Sequence, residues 1–418
     1  MQNLEVAAIL ITMETKTHNL TNLTNINLDI EELKKLNSLE VFSSITCKWL
    51  SELSIFLLKD RRTKKFPDVA TFAFYCRKAN ISKLKANHYN PDEIRIGKGI
   101  AFHIAPSNVP VNFAYSLIAG LFSGNINIVK IPSEYFEQID IIINAINITL
   151  AKNKYKELKK RIFIVKYDTN SDITAKISRI CDIRVIWGGN ETVSNVKKIV
   201  SNPRSIDISF PDRYSICLID AKKYLALNEK AKLSESFYND TYLFDQNACT
   251  APHSLFWIGK RNDIKKAKGI FWDILEKTIT DKNYLLHEIT AVDKMVTFYN
   301  QSMAQNSISK TQSKNNLIWR INNASIYEDI DKYRCTSGYF NEFEINHINE
   351  INKLIKRNYQ TMSHYGISKE DLVSFFKDNK PLGIDRVVPI GSTLNFSLNW
   401  DGYDLINQMS RIIEIKQI

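Results

Sequence analysis

The chain has 418 residues, 44% of them hydrophobic and 24% charged, with a formal net charge of +11. That length exceeds a single hydrophobic core and sets an expectation of about two domains; the balance is that of a soluble globular chain, not a disordered one. Six cysteines stand singly at 47, 76, 181, 217, 249 and 335, with no CxxC pair and no metal-ligand spacing against the seven histidines, which argues against a disulfide scaffold or a metal module and fits a reducing cytoplasm.

The basic residues are dispersed in short clusters, as in Lys59–Lys65, Lys152–Arg161 and Lys260–Lys268. They read as solvated surface with a bias toward anionic ligands, and no aromatic-interleaved basic motif points to nucleic acid. The apolar run Val6–Met13 lacks a basic flank and the length to span a bilayer, so a cytoplasmic protein with no membrane span is expected.

In chain order, residues 1 to about 95 read as a helical lead-in, with apolar residues at helical spacing in Glu31–Phe42 and Ile45–Leu58 and a further helix after Pro67. Ile100–His103 then reads as a strand. It runs into the turn Ala105-Pro106-Ser107-Asn108-Val109-Pro110, whose prolines stop regular structure. A helix over Val111–Phe122, a strand over Asn127–Ile131 and a helix over Tyr135–Lys152 follow. Strands at Arg161–Lys166 and Ile183–Trp187 flank a helix at Ser171–Ile180, and Gly188-Gly189-Asn190-Glu191 opens a helix from about Thr192 to Val200. This β-α-β alternation is the pattern of a parallel sheet, whose ligands bind beyond the carboxyl ends of the strands. Two glycines before a helix let backbone amides approach an anion, although the same pair also serves as a plain tight turn. No GxGxxG is present.

Tyr214–Ile219 reads as one more strand, followed by a helix near Leu225–Tyr238. Then comes Asp245-Gln246-Asn247-Ala248-Cys249-Thr250-Ala251-Pro252, a polar turn ahead of the strand Ser254–Ile258. A thiol there is carried by a rigid element yet within reach of a ligand; equally, a lone cysteine is often a small core residue. A helix is expected near Asp263–Thr278, a loop over Gln305–Asn316, helices at His347–Asn358 and Lys369–Lys377, and a strand at Gln360–Tyr365.

Several of these turns, in this order, resemble the aldehyde dehydrogenase superfamily. Ala105–Glu134 resembles its Pro-Trp-Asn-Phe-Pro turn, helix and Lys-Pro-Ser-Glu strand end, Trp187–Asn190 its Phe-Thr-Gly-Ser loop, and Gln246–Cys249 its Gly-Gln-x-Cys. Asp245–Cys249, Gly383–Gly391 and Trp400–Leu405 look more specifically like the acyl-CoA reductases, the family that includes the fatty-acid reductase of bacterial bioluminescence.

The resemblance implies an α/β, aldehyde-dehydrogenase-like fold with a Rossmann-type cofactor domain and a second α/β catalytic domain. The expected division is a helical lead-in and dinucleotide-binding domain over 1–228, a catalytic domain over 229–378, and a tail over 379–418 that returns to the cofactor domain or an oligomer interface.

It implies NADPH-dependent reduction of a fatty acyl-CoA thioester to the aldehyde, with Cys249 the nucleophile and Asn108 an oxyanion donor. Ser107, Lys130, Ser133, Glu134, Gly188, Gly189 and Asn190 would border the cofactor. Glu134 sits awkwardly beside a 2′-phosphate. His253, four residues past the cysteine, reads as structural. An acyl-CoA or acyl-carrier substrate, an acyl-transferring synthetase partner and a homo-oligomer are further expectations. The superfamily's water-activating glutamate is replaced, with Ser209 nearest its place, which favours thioester reduction over aldehyde hydrolysis. A cysteine acyltransferase without reduction, or a catalytically silent member of the fold, remains an alternative.

Overall fold

The computed structural model describes residues 20–24, 28–168, 172–305 and 307–416; the apolar run Val6–Met13 and the expected helix start at Ser171 lie outside these. The chain divides into two compact units, one made of residues up to Pro211 together with Tyr403 onward, the other of Asp212–Gly402. The expected boundary near 228 therefore moves back to 211, because the strand at Tyr214 pairs in the second unit's sheet. Only the last part of the expected tail, from Tyr403, groups with the first unit.

In the first unit, β1 (Thr21–Asn22) lies at one edge of a six-stranded sheet, while β2 (Ile94–Gly97) forms a separate antiparallel ribbon with Ser410–Ile413. The parallel strands β3 (Ile100–Ile104), β4 (Ile126–Lys130), β5 (Ile162–Lys166), β6 (Ile183–Trp187) and β7 (Ile206–Phe210) complete the sheet in the order β1-β5-β4-β3-β6-β7, with β1 antiparallel. The order reverses at β3, the doubly wound arrangement that opens a crevice at the carboxyl ends of the central strands.

The strands are near-continuous runs of Ile, Val and Phe because helices cover the sheet. Helix Glu137–Leu150 turns Ile139, Ile142, Ile146 and Leu150 inward at helical spacing, each worth about 1.5–3 kcal/mol on burial. Helix Asn112–Phe122 is buried along nearly its whole length. It approaches β4 so closely that a Cβ on Gly120 would lie 1.9 Å from Asn127 Oδ1. The lead-in helix expected over Glu31–Phe42 is shorter, Ile30–Lys35. The chain turns at Phe42, which takes a left-handed φ of 50° and stacks on Phe122.

The second unit holds a seven-stranded sheet built from β8 (Tyr214–Asp220), β9 (Pro252–Ile258), β10 (Ile308–Gln312), β11 (Trp319–Asn323), β12 (Tyr339–Ile345), β13 (Tyr359–Tyr365) and β14 (Arg386–Pro389), in the order β10-β11-β12-β9-β8-β13-β14. All neighbours are parallel except β10 with β11.

Three expectations change here. The polar stretch expected as a loop contains β10, which belongs at a sheet edge because all but one of its residues face solvent. The helix near Leu225–Tyr238 is two helices, Ala221–Ala226 and Lys230–Thr241, the second ending one turn before the cysteine motif. The helix at His347–Asn358 is a six-residue 3-10 segment, Ile348–Lys353, capped by His347 and Glu350 and cut short by the start of β13.

Candidate active site

Cys249 lies in the turn that feeds β9, half-buried, and the turn is held by side chains from four directions. Asp245 and Gln246 both take left-handed backbone angles, φ 51° and 60°, an unfavourable pairing for residues with side chains that persists only where surroundings over-determine it. The surroundings do so. The fully buried Gln246 amide donates to Pro252 O (2.9 Å) and Tyr339 O (3.2 Å), while its Oε1 accepts from the backbone N–H of Gly338 (2.9 Å) and Tyr339 (3.2 Å). One side chain thus substitutes for a stretch of strand between the starts of β9 and β12. Tyr284 donates its hydroxyl to Asp245 Oδ1 at 2.5 Å. Arg334 donates to Asn247 O (3.4 Å) and to Arg213 O (3.0 Å), and the buried Ser215 hydroxyl donates to Cys249 O at 2.7 Å.

Behind the sulfur lies a charged chain that the sequence reading did not assign. The buried Gln360 amide lies against the thiol and also donates to Asp401 Oδ1. Asp401 Oδ2 accepts from Arg213 Nε at 3.2 Å, and Arg213 Nη2 reaches Asp385 at 2.9 Å. Burial pushes the Cys249 thiol up to about 12, and the Asp401 carboxylate adds to this; Gln360, Arg334 and Arg213 pull the other way. The resting group is therefore the protonated thiol. Gln360 opens β13 in a pattern that looks like any half-polar strand. Asp401 lies in the Trp400–Leu405 stretch, which carried a resemblance but no role.

His253 is the extra residue where β9 bulges against β8, since Ser215 pairs with Pro252 and Ile216 with Ser254. It is buried and stacked on Tyr214 at 5.5 Å, and burial holds its pKa far below the ordinary histidine value. A ring so desolvated is neutral packing against an aromatic neighbour.

The other candidates all lie in the first unit, at one edge of its sheet. Ser107 and Asn108 are exposed in the turn after β3, and Ala105 N is bonded to Lys130 O at 3.0 Å, so that turn and the end of β4 are stitched together. Lys130 is half-buried with Nζ 4.9 Å from the centre of the Tyr167 ring, and burial lowers its pKa. Ser133 and Glu134 are exposed just beyond it. Gly188 and Gly189 follow β6, Gly189 caps the helix Asn190–Lys197, and a Cβ on Gly188 would press on Thr192 at 3.0 Å.

Beneath this edge runs a buried polar relay. Trp187 Nε1 donates to Ser116 Oγ (3.0 Å), which meets His103 Nδ1 (2.7 Å), and His103 Nε2 meets Asn127 Oδ1 (3.0 Å). Burial lowers His103 to about 4, so it is neutral. Trp187 also stacks on Phe210 at 3.7 Å. Ser209, nearest the position of the water-activating glutamate, is buried in β7, and its hydroxyl makes no hydrogen bond among the described residues. Among those residues no group of three or more His, Cys, Asp or Glu could hold a metal, and no helix is long and apolar enough to cross a membrane.

Comparison with known proteins extends this picture. The chain is similar to a long-chain acyl-protein thioester reductase of Aliivibrio fischeri, 24% identical over 219 residues, a match that takes in 47% of this chain and 43%, less than half, of that protein. In structure it is similar to an NAD-dependent benzaldehyde dehydrogenase from Corynebacterium glutamicum, at a TM-score of 0.60 and 11% identity over 97% of this chain and 96% of the other. It is also similar to a 1-pyrroline-5-carboxylate dehydrogenase from Thermus with bound NAD, at a TM-score of 0.58 and 10% identity over 92% and 82% of the two chains. At these identities the structures speak for the fold alone, an aldehyde-dehydrogenase-like pair of α/β units, as expected. The family model described as acyl-CoA reductase (LuxC) matches residues 77–412, a stretch that runs from the helix before β2 through the cysteine turn into the last strand, and the chain belongs to that family.

Proposed function

We propose that this chain reduces a long-chain fatty acyl thioester to the fatty aldehyde with a nicotinamide cofactor, through an acyl group carried on Cys249. The observation that carries the reading is the half-buried cysteine on a turn fixed by Gln246, Ser215 and Arg334, in a member of a family described as acyl-CoA reductases. The similarity to a long-chain acyl-protein thioester reductase supports the chain length and the thioester class.

The steps balance without a metal. The Cys249 sulfur attacks the thioester carbonyl and its proton departs with the leaving thiol, so an acyl-cysteine and free CoA or carrier thiol result. The cations Arg213 and Arg334 favour the attacking thiolate against burial and Asp401. The oxyanion that forms needs preorganised donors; in this reading the Asn108 amide and the Cys249 backbone N–H supply them. The cofactor, when bound, supplies a hydride to the acyl carbon. With one proton from solvent the aldehyde then leaves and the thiol is restored.

The residues at the carboxyl edge of the first sheet fit a dinucleotide. The strand order reverses there, Gly188 and Gly189 keep the helix entry bare, and Lys130 places a cation beside the crevice. Lys130, Ser133 and Glu134 would border the ribose, and Ser107, Gly188, Gly189 and Asn190 the pyrophosphate and nicotinamide. NADPH is the proposed form, with Glu134 the residue that would repel its 2′-phosphate.

The experiment is intact-mass measurement after incubation with a long-chain acyl-CoA. An acyl adduct that disappears in Cys249→Ala, followed by NADPH oxidation with aldehyde release, is the expected result. An adduct without reduction would make the chain an acyltransferase. No adduct with any acyl thioester would end the reading.

A further inference from the structure

The basic run Lys260–Lys268, which reads in the sequence as solvated surface, opens the helix Arg261–Asp281 of the second unit. Its cations stand in the first turns, where the helix dipole opposes positive charge, and Lys260 makes no side-chain cap. The helix flanks β11 and β12, and beside it lies a recess of about 620 Å³ lined by charged and amide side chains and one glycine. Such a lining excludes a hydrocarbon ligand and suits a polar one of small-molecule size.

Four cations converge there, and two are already fixed. Lys268, buried, donates to Asn322 Oδ1 (3.0 Å) and reaches Glu344 (3.4 Å) and Glu342 (3.6 Å). Arg320 donates through Nε to Glu342 Oε2 (2.9 Å), with its guanidinium 5.1 Å from the centre of the Trp272 ring. Its two terminal nitrogens make no hydrogen bond among the described residues, so a held fork presents open donors to the recess. Arg261 and Lys265, both exposed, make no ion pair among the described residues. These four cations against Glu342 and Glu344 leave two positive charges in excess. Gly269 forms part of the wall. Inside a 21-residue helix a glycine costs stability relative to alanine, and packing does not call for one here, since a Cβ would meet nothing within 4 Å. Its missing side chain leaves space in the recess.

We propose that this recess binds the phosphate group of a small phosphorylated compound, a dianion that matches the two uncompensated charges. Arg320 offers its fork to two of the phosphate oxygens, Arg261 and Lys265 close on the anion from the helix, and Gly269 leaves room for the rest of the compound. A carboxylate carries one charge and is satisfied by one fork. Cations that arrive from a strand and from a helix suit a tetrahedral anion better. The site is separate from the cysteine, since Cys249 is bonded to Ser215 of β8, and β9 lies between β8 and β12.

The proposal is independent of the role of Cys249. It is tested by isothermal titration calorimetry of the full chain with inorganic phosphate in about 0.15 M sodium chloride. Saturable binding with a Kd below about 1 mM is expected. Lys265→Ala is expected to weaken it about tenfold. Gly269→Leu replaces a poor helix former with a good one while filling the recess; it is expected to abolish binding with a melting temperature no lower than the wild type's, so that the loss is not one of folding. Displacement of phosphate by CoA but not by dephospho-CoA identifies the nucleotide end of a thioester donor as the source. Displacement by glycerol 3-phosphate, with CoA inert, identifies a free phosphorylated compound, and either result supports the site. If no phosphate ester displaces it, the recess holds a bare ion and the proposal is overturned. A wild type without saturable binding overturns it, as does binding that Lys265→Ala and Gly269→Leu both leave intact; loss in Lys130→Ala instead would place the anion in the first unit. Succinate bound as tightly as phosphate would make the site one for carboxylates and overturn it equally.

Discussion

In the first unit the parallel strands are filled with Ile, Val, Phe and Ala, and most of their few polar residues find closed partnerships, the Ser209 hydroxyl being an exception. His103 and Asn127 bond within the relay, and Arg184 grips Asp207 with two bonds of 2.7 and 2.8 Å. In the second unit, β11, β12 and β13 bury Asn323, Asn341, Glu342, Gln360, Thr361 and Ser363. Several atoms there, Asn341 Nδ2, Gln360 Oε1, Thr361 Oγ1 and the Tyr359 hydroxyl, make no hydrogen bond among the described residues. The first sheet is therefore built for stability, with the residues proposed to border the cofactor confined to the loops at its edge. The second takes polar groups into its interior, where Gln360 and Thr361 reach the thiol and the Ser215 hydroxyl while Asn323, Asn341 and Glu342 bond to other side chains, and gives up stability to do so.

The largest test of that contrast is Glu342→Leu. Glu342 is fully buried and accepts from Trp257 (2.9 Å), Trp272 (2.8 Å) and Arg320 (2.9 Å). Its loss strands a half-buried cation and two buried indole N–H groups, at about 3–5 kcal/mol. A thermal melt is expected to show an earlier transition for the second unit while the first holds; a shift of both together would break the contrast. Gln246→Leu follows, at about 3–4 kcal/mol for four hydrogen bonds, with loss of thioester turnover as the turn relaxes. Turnover preserved at full rate would mean the turn does not depend on that amide.

Gly120→Ala probes the first unit instead. A Cβ there meets Asn127 Oδ1 and His103 Nε2, and forcing the helix away is expected to cost about 2–3 kcal/mol by urea titration.

Asp240 sharpens the contrast through pH. Burial raises it from 3.8 to about 6 although it accepts from Gly391, Thr393 N and the Thr393 hydroxyl. Between those values the folded state keeps a proton that the unfolded state releases. The stability of the second unit therefore falls by about 2 kcal/mol as pH rises from 3.8 to 6 and is flat in this respect above that. The slope is expected to be absent from Asp240→Asn. Smallest in energy is Asp401→Asn. Removing that charge and freeing Arg213 both lower the Cys249 thiol, so iodoacetamide labelling at pH 8 should accelerate about tenfold.

The same contrast decides what could be read in advance. Ile183–Trp187 was legible to the residue and Ile100–His103 to within one, because a strand covered on both faces is a bare apolar run between turn signals. The second sheet was legible only at β8, β9 and β13. β10 carries Ser, Lys, Thr and Gln with no inward alternation to mark it, and β11 alternates Trp319, Ile321 and Asn323 inward over only five residues, ending in two asparagines. The cysteine turn and the loops after β3, β4 and β6 stood out through their turn residues and through resemblance. Gln360, Arg213, Arg334 and Ser215 did not: each reaches the turn from far along the chain, and only folding brings them there.

Arg213 and Asp401 have one more implication. They stand one residue inside the two points where the second unit begins and ends, and their side chains are bonded. The long excursion from 212 to 402 thus leaves and returns through a single clasped doorway. A module whose entrance and exit coincide can be exchanged or transplanted without lengthening either connection, so grafting this stretch between neighbouring strands of another host is a practical route to studying its cysteine in isolation.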